Sequence, residues 1–257
     1  MNGELYQLSR IVLYVKEILY SNQINEFKKG EYEEQILYEF APTKRLIFSE
    51  TKKISSTEEW CRKLIKKRLK NIFLLINISA NNPKMAGFAN SDAQCIVTVY
   101  ESGVVSYWNP QWEFDSVRKT WTIYYQERIW EDAPTSLPVF ENTKDDFMNV
   151  LHDIKELANR INCELFANIF QSAYDTLTKK QKIELPDWMK DTVPTFDEEK
   201  MRMFLAASQA DVFGGMGSWN DDPAGMAYEK GEEDKYNQLS NELYNQIRKT
   251  VMYVVNN

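Results

Sequence analysis

The spacing of the apolar residues changes near residue 141, and this change constrains the fold more than any other feature of the sequence. Before this point, short apolar and aromatic runs separated by turn-forming residues are typical of β-strands. We assign such strands to 35–40, 45–49, 71–79, 94–100, 104–108 and 119–129. After it, apolar residues recur every three or four positions as far as Val255, which indicates amphipathic helices. The sequence therefore predicts an α+β protein, with a largely antiparallel sheet flanked by helices in the N-terminal half and a helical C-terminal half.

Two helices are predicted to flank the strands of the N-terminal half. Residues 4–20 carry apolar side chains at helical spacing. Segment 55–70 begins with Ser55 and Ser56, either of which can cap a helix, and ends in basic residues that suit the negative end of the helix dipole. The Asn109-Pro110 pair predicts the end of strand 104–108, because proline lacks the N–H that a central strand needs.

Pro134 and Pro138 make segment 131–142 the best candidate for a domain boundary. The boundary divides the chain into a sheet-containing region, 1–140, and a helical region, 141–257. We expect these two regions to pack together as one globular unit.

The charge balance of the chain favours a basic partner. The formal net charge is −7, from 38 acidic and 31 basic residues, and this sign opposes general attraction to nucleic acid or to anionic lipid. No apolar run approaches the roughly 20 residues that a membrane-spanning helix requires, and no secretory signal is recognisable. We therefore expect a cytoplasmic protein that binds another protein, with no membrane association and with nucleic acid unlikely as a ligand.

Cysteine and histidine are too few and too scattered to indicate a metal or redox centre. The three cysteines, Cys61, Cys95 and Cys163, are single and form no C-x-x-C pair, and His152 is the only histidine. His152 lies away from the apolar stripe of its predicted helix and is interpreted as a solvated surface residue. No catalytic motif is recognisable, so we predict no catalytic residue, no metal ligand and no cofactor.

The most distinctive string is VFGGMGSWNDD, residues 212–222. Its glycines could let exposed backbone N–H groups bind a phosphate, but the spacing matches neither the Walker loop nor the dinucleotide fingerprint. The competing interpretation is a glycine helix C-cap followed by a tight turn, pinned to the body of the protein by the tryptophan. The candidate ligand-binding or interaction residues are Gly214, Gly215, Gly217, Ser218, Trp219, Asn220 and Asp221.

Two further segments have both a structural and a functional interpretation. The aromatic cluster between residues 100 and 130 could fill a core or supply interface anchors, and its candidate interaction residues are Trp108, Trp112 and Trp130. The run RKLIKKRLK, residues 62–70, has six basic residues in nine. It could contact phosphates, or it could be a solvated helix face whose charges complement the helix dipole.

The string FLAASQADVFGGMGSWNDDP, followed by YNQLSNELYNQIRKTVMYVVN, resembles the C-terminal ends of uncharacterised small bacterial cytoplasmic proteins. Some proteins of that type are similar to immunity proteins encoded beside polymorphic toxins. The resemblance rests mainly on GGMGSWND, covers about the last fifth of the chain and implies no active-site residues.

Two hypotheses follow for the function. The first is a bacterial protein-interaction protein, in its most specific form an immunity factor that neutralises a basic toxin by electrostatic complementarity. The alternative is a small-ligand-binding protein or an enzyme that uses glycines 214–217 with nearby acidic residues.

Overall fold

The structure is a computed structural model that describes residues 1–42, 53–80, 82–91, 93–136, 138–178, 183, 185–190 and 196–257. The strand predicted at 45–49 lies outside these residues. The chain forms two compact units. The first unit, the sheet unit, comprises Gln7–Leu75 and Gln94–Pro138, and the second, the helical unit, comprises Met1–Tyr6, Ile76–Ala93 and Val139–Asn257.

The sheet unit is built on a five-stranded sheet with the strand order β1-β5-β4-β3-β2. Its strands are β1 (Glu33–Glu39), β2 (Leu69–Ile76), β3 (Gln94–Tyr100), β4 (Val105–Asp115) and β5 (Thr120–Ile129). The β1–β5 pair is parallel, and the β3–β4 and β4–β5 pairs are antiparallel. The predicted α+β class with a mostly antiparallel sheet is therefore confirmed, and the parallel pair is a feature that the sequence pattern did not reveal.

Strand β4 continues through Asn109-Pro110, so the predicted break at this point is wrong. The register of β3 with β4 runs from Val105 to Trp108, whereas β5 pairs with β4 as far as Asp115. Pro110 therefore lies beyond the pairing with β3. Toward β3, Pro110 has no paired residue, so the N–H that proline lacks is not needed there.

Two helices accompany the sheet: α1 (Gly3–Ser21) and α2 (Thr57–Lys66). The Ser56 side chain caps α2 by accepting a hydrogen bond from the Glu59 N–H. Ser56 is one of the two residues that the sequence predicted as a cap. Helix α2 ends at Lys66 and not at residue 70, because Arg68 takes a left-handed conformation (φ 60°) and β2 begins at Leu69.

Aromatic side chains fill the core of the sheet unit. The Tyr38 ring stacks on Trp60 at 4.4 Å and on Tyr125 at 5.4 Å, and Trp108 meets Trp60 edge to face at 5.2 Å. All four side chains are buried. Such pairs contribute about 0.5–1.5 kcal/mol each beyond the apolar area that they bury.

Glu127 on β5 is a buried carboxylate that joins four parts of the sheet unit. Its Oε1 accepts hydrogen bonds from the Tyr100 hydroxyl (3.1 Å) and the Ser106 hydroxyl (2.9 Å). Its Oε2 accepts from the Ala41 backbone N–H (3.1 Å) and from the Lys67 ammonium (3.3 Å). The Glu127 side chain is 2% exposed, so these four donors replace the water that the charge would otherwise bind.

We predict that Glu127→Ala lowers the stability of the sheet unit by about 3–5 kcal/mol, because it leaves buried hydroxyl and N–H donors without an acceptor. The matched control is Glu101→Ala, which removes the exposed partner of Arg68 and should cost less than about 1 kcal/mol. Denaturant-dependent amide hydrogen exchange in β3, β4 and β5 measures both. Equal losses in the two variants would contradict the role assigned to Glu127.

The helical unit contains α3 (Lys144–Arg160), α4 (Glu164–Thr178), α5 (Asp187–Lys190), α6 (Glu198–Ala210), α7 (Asp222–Glu229) and α8 (Glu233–Asn256). Short 3₁₀ turns at Ile78–Ala80 and Pro83–Met85 precede them in the chain. The Asp197 side chain caps α6 by accepting a hydrogen bond from the Lys200 N–H. The sequence did not predict helix α7, although Pro223 lies in its first turn, where proline is favoured.

A buried ion pair lies inside the helical unit. The Arg248 guanidinium is 3.6 Å from the Asp211 carboxylate and lies over the Tyr244 ring at 3.2 Å. The Asn2 backbone N–H donates to the same carboxylate at 2.9 Å. Both charged side chains are almost fully buried, so each depends on the other for compensation of its charge.

Within the described parts of the chain, no helix has both the length and the apolar character that crossing a membrane would require.

Candidate functional site

The glycine loop, residues 212–221, connects α6 to α7, and the N–H groups of its second half donate hydrogen bonds within the loop. The Gly217 N–H donates to the Asp221 carboxylate at 2.8 Å, and the Ser218 N–H donates to the Gly215 carbonyl at 3.1 Å. The N–H groups of Trp219, Asn220 and Asp221 also donate to acceptors within the loop. A phosphate cradle requires donors to be available, so the internal bonds of Gly217 to Asp221 count against anion binding by this part of the loop.

Trp219 anchors the loop to the body of the helical unit. Its ring is fully buried against Phe166, Phe170 and Tyr236, and its indole N–H donates to the Ser240 hydroxyl at 2.8 Å. The Tyr236 hydroxyl donates to the Trp219 carbonyl, and burial raises the pKa of Tyr236 to about 12, so this donor stays protonated at neutral pH. The predicted turn pinned by tryptophan is confirmed, but a ring in this position is not accessible to a ligand.

The predicted glycine C-cap is wrong. Helix α6 ends at Ala210 with Asp211 in the capping position, and the first glycine follows three residues later. Gly217 is the loop position that requires a left-handed backbone (φ 78°), which favours glycine. The Asn220 side chain donates to the Pro83 carbonyl at 2.7 Å and holds the loop against the 83–87 turn.

The predicted interaction tryptophans differ in burial. Trp108 is fully buried, and its indole N–H donates to the Thr98 hydroxyl at 3.1 Å. Trp112 is 8% exposed and packs near Trp121, with 5.9 Å between the ring centres. Trp130 is half-buried and meets Tyr107 edge to face at 6.2 Å. The core interpretation therefore holds for Trp108 and Trp112, and Trp130 alone of the three keeps part of its ring accessible.

Three of the six basic residues in the run 62–70 have acidic partners close by. Lys63 pairs with Glu59 at 3.3 Å, Lys67 with Glu127 at 3.3 Å and Arg68 with Glu101 at 3.3 Å. Lys67 also lies over the Phe40 ring at 4.0 Å. These contacts favour the structural interpretation of the run over phosphate binding. His152 is exposed on α3, as predicted.

An open groove runs between α3 and α8 in the helical unit, with a volume of about 370 Å³. This is close to the lower end of the range for ligand pockets, about 300 Å³. We call it the α3–α8 groove. Its lining residues are Asp146, Asn149, Val150, Asp153, Glu242, Asn245, Gln246 and Lys249.

Contacts at both ends fix α3 and α8 as an antiparallel pair. At one end, the Thr143 and Thr250 hydroxyls are 2.9 Å apart, and the Gln246 side-chain amide donates to the Thr143 carbonyl at 3.0 Å. At the other end, Arg160 donates to Glu232 at 2.8 Å. The groove residues of each helix recur at i, i+3, i+4 and i+7, so each set forms one continuous helix face.

Because the two helices are antiparallel, the charged groove residues lie at the two ends of the groove and the amide residues lie between them. Asp146 and Lys249 lie toward the Thr143 end, whereas Asp153 and Glu242 lie toward the Arg160 end. Three side-chain amides, Asn149, Asn245 and Gln246, lie between the two ends. Three carboxylates against one ammonium give the groove a negative balance that attracts cations.

A bound metal ion is not indicated for this groove. Across the residues that the structure describes, no group of three or more histidine, cysteine, aspartate or glutamate side chains could hold a metal ion. The carboxylate and amide oxygens that line the groove are hydrogen-bond acceptors, which suit a ligand that carries N–H or O–H donors.

Analysis of the sequence missed the α3–α8 groove, although a signal was present. Polar residues occur at positions 146, 149 and 153 and at positions 242, 245, 246 and 249, with the spacing of a helix face. This spacing usually marks a solvated face. The two polar faces form one groove only because the two helices pair. The sequence alone does not show this pairing.

No protein-family model, curated protein or solved structure matches the chain. The resemblance based on GGMGSWND therefore stays a prediction.

We predict that Gly87→Ala weakens the attachment of the glycine loop. A Cβ at Gly87 would lie 3.0 Å from the backbone of Gly214 and Gly215, so the two segments must separate, at a cost of about 1–3 kcal/mol. The matched control is Gly215→Ala, because a Cβ there meets nothing within 4 Å and should change stability by no more than about 1 kcal/mol.

Thermal unfolding of the two variants, together with hydrogen exchange in residues 212–221, measures the difference. A Gly87→Ala protein as stable as the Gly215→Ala protein would show that the close backbone contact is unimportant.

Proposed function

We propose that the chain is a non-enzymatic bacterial protein that binds another protein carrying a basic surface. The observation that carries this proposal is the α3–α8 groove, with three carboxylates and three amides against a single ammonium. Such a surface attracts a positively charged partner and speeds their encounter by electrostatic steering. The net charge of −7 adds a longer-range attraction of the same sign.

The specific form of the proposal is an immunity factor that occludes a basic toxin in the cytoplasm. A nuclease is one such toxin, because it needs basic residues to hold its nucleic acid substrate. An acidic protein bound over those residues competes with the substrate. The GGMGSWND resemblance supports this form, and the groove supports the basic character of the partner.

The alternative, ligand binding or catalysis by glycines 214–217, has less support. The N–H groups of Gly217 to Asp221 are used within the loop, and Trp219 is buried. A small-molecule function would have to use donors other than these five N–H groups.

Co-expression with the protein encoded beside its gene tests the proposal. We expect growth rescue if that neighbour is toxic, and a complex that co-elutes on size exclusion at low salt. Because the attraction is electrostatic, we expect the association rate to fall at least about tenfold between 50 mM and 500 mM salt. The rate is measured by surface plasmon resonance with the purified neighbour.

The control is an unrelated basic protein of similar size, which should give no saturable complex. Absence of both rescue and complex with the neighbour, or turnover of a substrate by the pure chain, would overturn the proposal.

A further inference from the structure

We draw no further inference here: the strongest candidate, the apolar patch of exposed Met85, Phe88 and Met216 side chains where the 83–87 turn meets the glycine loop, carries none, because nothing in the described parts of the chain shows what covers it.

Discussion

The antiparallel pairing of α3 with α8 is the constraint on which the helical unit and its groove depend. The pairing is fixed at one end by Thr143, Thr250 and Gln246 and at the other by Arg160 and Glu232. Leu151, Leu157 and Leu243 on these helices are fully buried. The polar faces at the edge of this interface are consequently held at a constant separation. The contacts fix the two helix backbones that form the walls of the groove.

The two units compensate their buried charges in different ways. In the sheet unit, Glu127 is surrounded by neutral donors and by one lysine whose side chain is 43% exposed. In the helical unit, Arg248 and Asp211 are both buried and compensate each other, with the Tyr244 ring covering the guanidinium. Neither arrangement leaves a charge free for chemistry.

The sequence predicted elements whose signals are local and missed features that depend on long-range pairing. Ser56 was one of two predicted caps for α2, because a cap acts within three residues of the helix start. Trp219 was predicted to anchor the glycine loop, because a large apolar ring beside glycines tends to pack into the body of the protein. The parallel β1–β5 pair and the α3–α8 groove join segments about 90 residues apart, and no local pattern encodes them. Pro110 was misinterpreted because the effect of a proline depends on which neighbouring strand lies beside it.

The β1–β5 pairing also affects how the chain can fold. Tyr38 on β1 has its sheet partner at Tyr125, so β1 remains without its only described neighbouring strand until β5 has been synthesised. Contacts between such distant segments form slowly, because a long loop must close before they yield any stabilising energy. During translation, β1 is therefore without its partner strand β5 for the time needed to make nearly ninety further residues. A ribosome-associated chaperone has its best opportunity to bind the nascent chain in this interval.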